Sequence, residues 1–148
     1  MDWISLIIAI VAVYGAGLST YNFILDRRDK QRKIKVDLSY GFPVSHNMEL
    51  MDDALVITVS NPGNRQVTIN TPSIRIPDGK KIFTPHPNSN VSFPHTLDEG
   101  KNCIVWFPLK EVKYTLSENG YRGKVKMVAQ CTDQVDNIYE SEPMNVEI

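Results

Sequence analysis

The chain has 148 residues and a formal net charge of −1, enough for one folded unit with a small attachment rather than two full domains. That balance hides an asymmetry. Six Lys/Arg fall between Arg27 and Lys35 against one acid, Asp29, whereas everything from Val36 onward is near −4. An acidic body is a poor match for a phosphate backbone, so no nucleic-acid partner is expected.

From Trp3 to Leu25 no residue is charged, and Ile4 to Leu18 is apolar or small apart from Ser5 and Tyr14. About 20 such residues as helix cross the hydrocarbon core of a bilayer. A helix buried in a soluble body would show a polar face at helical spacing, and none occurs before Ser19. An export signal would carry a basic start and a shorter apolar run ending at small residues. Here only Met1 and Asp2 precede Trp3, and the apolar pattern resumes beyond Gly15-Ala16-Gly17. Residues 1–25 are therefore expected to form a transmembrane anchor. Ile7, Ile10 and Val13 would meet lipid tails, with Trp3 at one headgroup level and Tyr21 at the other. Ala12 and Ala16 stand four apart, as do Gly15 and Ser19, a spacing that lets two helices approach closely in lipid. A homo-oligomer through that face and a single lipid-facing anchor both fit it.

A basic linker is expected over residues 26–33. Its cations Arg27, Arg28, Lys30, Arg32 and Lys33 all flank the C-terminal side of the span and suit lipid headgroups. Positive flanks stay on the cytoplasmic side. This predicts an inner-membrane protein with its N-terminus outside and residues 34–148 in the cytoplasm. The reversed orientation would place the body outside, with Cys103 and Cys131 open to oxidation.

Beyond Lys33 the apolar period becomes two. Ile34, Val36, Leu38 and Tyr40 alternate with polar residues, as do Leu55, Ile57 and Val59, the mark of strands with one buried face. Asn61-Pro62-Gly63-Asn64 reads as a type II turn with positive φ at Gly63. Short strands follow at Val67–Ile69 and Ile74–Ile76, and Asp78-Gly79 reads as a hairpin turn into Lys81–Phe83. Val91–Leu97 and Asn102–Leu109 read as strands around Asp98-Glu99-Gly100-Lys101. In "LKEVKYTLSENGY" Leu109, Val112 and Leu116 fall at helical spacing, with Gly120 as the stop. Val125, Met127, Ala129 and Cys131 then face one way while Lys124, Lys126, Gln130 and Thr132 face the other. A last strand is expected from Ile138 to Ile148. Seven to nine short strands with one short crossing helix suggest a mainly β, antiparallel sandwich, with a small closed barrel as the alternative.

The Asn-Pro-Gly-Asn turn, "LDEGKNCIVWF", "ENGYRGKVKM" and "DQVDNIYES" resemble a recurrent type of small, mostly uncharacterised bacterial single-pass membrane protein with a cytoplasmic immunoglobulin-like β-sandwich domain. The resemblance covers nearly the whole chain and rests on turns and strands. It implies a fold and lends nothing catalytic. The long Cys…Trp…Cys spacing of antibody domains is missing, since Trp106 follows Cys103 by three positions.

Chemistry-bearing motifs are sparse. Cys131 belongs to an apolar strand face and reads as core. His46, His86 and His95 are scattered, and no tight ligand pair such as Cys-x-x-Cys exists, so neither metal nor cofactor is expected. The chain has no Gly-x-Ser-x-Gly elbow and no Gly-rich phosphate loop. Asp133 and Asp136 flank a turn, where conformation alone favours them. The proline-rich stretch "TPHPNSNVSFPHT" presents His86, Phe93 and His95 as a candidate partner loop, or else a rigid edge connection. The expected role is a membrane-tethered, non-enzymatic interaction or accessory module with a protein partner whose identity stays open. The rival is a ligand- or stress-controlled effector that oligomerises in the membrane, as in bacterial defence or permeability control.

Overall fold

The computed structural model describes residues 2–29, 32–44, 52–84 and 86–148, the side chains of Arg28 and Asp29 excepted. Helix α1 (Trp3–Asp29) comes first, without a charged residue before Asp26. Its first amides are met by the Asp2 carbonyl, which accepts from Ser5 N and Leu6 N. The Thr20 hydroxyl donates back to the Ala16 carbonyl at 2.9 Å, which satisfies it within the helix. At 1.5 Å per residue the helix is about 40 Å long. Its stretch Trp3–Arg27, of mean hydropathy 1.9, is long and apolar enough to span a membrane, and none of it is buried against the rest of the chain. The helix runs on through Asp29, so the first half of the expected linker is helical.

The remainder is mainly β. In chain order come β1 (Lys35–Gly41), β2 (Ala54–Ser60), β3 (Val67–Ile69), β4 (Ser73–Arg75), β5 (Lys81–Ile82), β6 (Asn88–Ser89), β7 (His95–Leu97) and β8 (Asn102–Pro108). The short helix α2 (Leu109–Glu118) follows, then β9 (Lys124–Thr132), β10 (Ile138–Glu140) and β11 (Met144–Glu147). One sheet has the order β1-β2-β8-β6. A second has β10-β9-β4-β5, with β11 beside the first half of β9, and β3 pairs with β7 separately. Every pairing among the described residues is antiparallel.

Period-two alternation turns one face of each sheet toward a shared apolar core. Leu55, Ile57, Val59, Cys103, Val105 and Phe107 come from the first sheet, and Ile74, Val125, Met127, Ala129 and Cys131 from the second. Burying each large aliphatic side chain contributes about 1.5–3 kcal/mol, and this core is the main source of stability. Helix α2 adds Val112 and Leu116 at i, i+4. It stops as its sequence predicts. Gly120 has φ +85, its N–H donates to Ser117 O, and Tyr121 N–H donates to Leu116 O, a Schellman end. The Asp78-Gly79 hairpin also forms, with Gly79 at φ +75.

Several local expectations are overturned. Gly63 does not have positive φ, so the Asn61–Asn64 turn is not type II. Instead the buried Asn61 side chain builds it. Oδ1 accepts from Gly63 N–H at 3.0 Å, and Nδ2 donates to the carbonyls of Arg65 and Leu97. Gly63 is small because Lys33 passes close by: a Cβ there would lie 3.2 Å from the Lys33 backbone N. The Val91–Leu97 strand shrinks to His95–Leu97, because Pro94 has no N–H to give a ladder. Asn88–Ser89, read as loop, pairs with Trp106 and Val105 instead. The last strand divides around Ser141–Pro143, its halves β10 and β11 both borne by β9. Eleven strands result among the described residues, several of only two or three residues. Gln130, on the face of β9 opposite its apolar residues, is buried as well.

Cys103 on β8 and Cys131 on β9 are free thiols in the core, contributed by opposite sheets. Burial pushes Cys103 up to about 11. Burial, with the charges of Cys103 and Asp133, pushes Cys131 up to about 12. Both are therefore protonated and shielded at neutral pH, and the thiolate is the reactive form. A thiol reagent at pH 8 is expected to modify neither in the folded protein and both at once on unfolding; fast labelling without denaturant would contradict the packing.

Candidate functional site

Asp133 follows β9 directly and is 1% exposed. Its Oδ1 accepts from the backbone N–H of Val135 and Asn137, and Oδ2 accepts from Asn137 Nδ2 and the Tyr139 hydroxyl. The turn is closed further by Asp136 at φ +62, a left-handed conformation that Asp tolerates. Burial by itself pushes the Asp133 carboxyl up, but the donors from Asn137, Val135 and Tyr139 outweigh it and hold it below the ordinary range. Burial, then the Asp133 charge, pushes the Tyr139 hydroxyl up.

The guanidinium of Arg32 reaches this buried carboxylate at 3.5 Å. Arg32, one of the cations that flank the span, thus makes a contact with the β-body. Lys33 lies against the turn at Gly63. Only three residue steps separate Asp29 from Arg32, at most about 11 Å of chain. The end of α1 is therefore held close to the end of β9.

The other anchor residues lie along α1. Trp3, Ile7, Ile10, Val13 and Tyr21 are exposed, with no partner in the β-body. Ala12, Gly15, Ala16 and Ser19 are likewise exposed, and nothing lies within 4 Å of a Cβ built at Gly15. Arg27 stacks over the Phe23 ring at 5.2 Å, one turn earlier. The Arg28 side chain and Lys30 lie outside the described residues.

The three residues of the expected partner loop lie in different surroundings. Phe93 packs against the core, and His95 sits in β7 opposite Ile69. His86 alone reaches a concave surface. That groove, of about 420 Å³, lies where β5 and β6, the edge strands of the two sheets, face the end of β8 and α2. Phe83, 69% exposed, and half-buried Trp106 contribute to its apolar surface, and Lys81 and Glu111 also line it. Its volume falls within the roughly 300–1,000 Å³ of ligand clefts. It lies in the half of the β1–β2–β8 ladder remote from Lys35 and the anchor. Neither Trp106 nor Glu111 stood out as a site residue in the sequence, since a strand-end aromatic and a helix acid are individually ordinary. No group of three His, Cys, Asp or Glu side chains suited to a metal ion occurs among the described residues.

A second, smaller hollow of about 180 Å³ opens on the face of the β4–β9 sheet that points away from the core. Thr71, Ser73, Lys81, Phe83, Gln130 and Thr132 line it. Lys81 and Phe83 border both concavities. Gln130 is 5% exposed, and its Oε1 has no hydrogen-bond partner. An unmet buried acceptor costs about 1–3 kcal/mol.

The Asp133 carboxylate sets a pH dependence. A carboxyl held low in the folded state contributes stability that is fully present above its unfolded value near 3.9 and is lost as pH falls through the folded value. The thermal midpoint of the wild type is expected to drop below about pH 4. Asp133→Asn is expected to start lower at pH 7, with an amide set against amide donors, and to lack that drop. Arg32→Gln, altering a half-exposed partner, is expected to cost less than about 1 kcal/mol at pH 7. An unchanged acid limb in Asp133→Asn would contradict this account.

No protein-family model matches the chain, and no curated protein does. Among solved structures it is similar to one titled "X-ray structure of Northeast Structural Genomics Consortium target SoR45". The identity is 13% and the TM-score 0.33, over 81% of this chain and 89% of that one. A likeness of that degree bears on neither activity nor partner.

Proposed function

We propose that this chain is a single-pass membrane protein whose α1 anchors an immunoglobulin-like β-sandwich on the cytoplasmic side of a bacterial inner membrane, where the sandwich binds a protein partner and performs no catalysis. One observation carries the reading: a helix of bilayer length that packs on nothing among the described residues is tied within three residues to a β-body with a groove of about 420 Å³ in the half remote from the tie. Lipid is the environment that relieves the helix of its apolar exposure. The basic flank favours the cytoplasmic orientation. The sandwich reading draws support from two antiparallel sheets sharing a core, with one cysteine from each.

The groove suits a protein segment. Two short edge strands offer backbone for strand addition, and Phe83 and Trp106 offer aromatic anchors of the kind that dominate interfaces. Tethering raises the module's effective concentration beside other membrane proteins. A photo-crosslinking residue placed at Phe83 or Trp106 in cells is expected to capture one discrete protein. The same residue at Tyr114, exposed and outside the groove, is expected to capture none. Trp106→Ala should weaken capture about tenfold or more. Equal capture at all three positions, or a reporter fused after Ile148 that is active only outside the cytoplasm, would overturn the reading.

A second reading, a membrane effector that oligomerises under ligand or stress control, is favoured by the open small-residue face of α1. Nothing among the described residues covers Gly15 or Gly17. The combined change Ala12→Leu, Gly15→Leu and Ala16→Leu is expected to reduce cross-linked dimers and membrane leakage on overexpression. Unchanged levels of both would remove this reading.

A further inference from the structure

The turn that joins β9 to β10 is held from several sides. The Asp133 carboxylate accepts the N–H groups of Val135 and Asn137. Asp133 N–H donates to Asn137 O, and Gln134 N–H donates to Thr68 O on β3. A turn fixed this firmly nevertheless shows two apolar side chains to water: Val135 is 58% exposed and Ile138 60%. Turn positions favour Gly, Asn, Asp and Ser, so a bare Val there gains nothing from conformation. Single exposed apolar residues are common, but these two stand three apart at one corner of the body. Among the described residues, the other large exposed apolar side chains of the β-body lie elsewhere: at or beyond the far end of β1, in the groove or on α2. The corner also adjoins the anchor. Val135 N–H and the Arg32 guanidinium meet on the same Asp133 carboxylate. Three residue steps back from Arg32, at most about 11 Å of chain, is the end of α1. The headgroup layer outside the hydrocarbon is roughly 5–8 Å deep, so a tilt of the body brings the tip of the turn into it.

Resting on the reading of α1 as a membrane anchor, we propose that this turn is a second point of contact with lipid: Val135 and Ile138 enter the headgroup layer of the bilayer that α1 crosses and hold the β-body on its surface. The short tie keeps that surface at a high and permanent effective concentration beside the turn. Shallow insertion needs exposed apolar area among polar neighbours, which Gln134, Asp136 and Asn137 supply. Two aliphatic side chains offer no aromatic anchor of the kind on which a protein interface centres. Of the charged groups at this corner, Arg32 and Lys33 favour anionic headgroups, Asp136 opposes them, and Asp133 is already paired. The apolar pair, not net charge, therefore drives the docking. Because the turn is formed before it meets lipid, docking orders little new chain. Two points of attachment restrict how the body can turn over the membrane, and the groove in its remote half stays clear of lipid.

The test uses the full chain, one copy per nanodisc of phosphatidylethanolamine and phosphatidylglycerol. A nitroxide label is introduced through Gln134→Cys in the turn or Tyr114→Cys on α2. Cys103 and Cys131 are buried, and the unsubstituted chain serves as the blank. EPR power saturation then reads how often the label meets an aqueous nickel chelate and how often it meets oxygen. The label at position 134 is expected to meet the chelate at least about threefold less often than the label at 114, and oxygen more often. With Val135→Ser and Ile138→Ser together, the label at 134 is expected to become as accessible to the chelate as the one at 114, with the thermal midpoint unchanged. Should that double variant melt lower, Ile138→Ser alone is read in its place, with a change in the same direction. Equal chelate access at the two positions in the otherwise unsubstituted chain overturns the proposal, as does shielding that survives the serine substitutions. Shielding found only when discs carry two copies gives the turn to a second chain and overturns it too. A chain that never enters the discs overturns the anchor reading itself, a result distinct from an inserted chain whose turn stays in water.

Discussion

Asp133 occupies a place where burial alone would favour the protonated acid, yet four donors and a guanidinium hold it as a carboxylate. Three of those donors come from its own turn and the fourth from Tyr139 on β10, so the turn, the strand and the anchor segment share one acceptor. Much else in the molecule depends on that sharing. The apolar helix and the β-body would otherwise be two objects on a string. With Arg32 on Asp133 and Lys33 against Gly63, they meet through a joint of a few residues.

The two sheets are organised around β9. It pairs with β4 on one side and with β10 and β11 in turn on the other, while its inward residues Val125, Met127, Ala129 and Cys131 close the core. Its outward residues are less uniform. Lys126 is in water, Gln130 is buried, and Val128 lies between these extremes. One strand therefore serves the core on one face, the smaller hollow on the other, and the anchor at its end.

What could be read from the residue order divides along physical lines. Signals that act locally were legible: the charge-free run of α1, the alternation of β1, β2 and β9, the Gly120 stop of α2 and the Asp78-Gly79 hairpin. Each of these depends on neighbours within one turn or one strand. Features made by distant segments were not legible. Gln130 obeys the alternation of its strand and points outward, but β4 and β10 close in beside it, which period two cannot foretell. Asn61-Pro62-Gly63 carries the composition of a type II turn, yet Asn61 bonds to Leu97, thirty-six residues away, and takes the turn over. The groove had the same fate, because Phe83 and Trp106 become neighbours only when two sheet edges meet. In the proline-rich stretch His86 lines the groove, Phe93 packs against the core and His95 pairs in β7, a division that composition does not reveal.

The short passage from Lys33 into β1 has a mechanical side. If a partner seated on the remote half of the body moves against a helix fixed in lipid, the load enters β1 at Lys35, near the strand's own axis. The seven paired positions from Lys35 to Gly41 against Ser60 to Ala54 then bear it in shear, all together, instead of parting one after another. A seam loaded in that direction resists as one ladder, since parting it requires all of its paired positions to give at once.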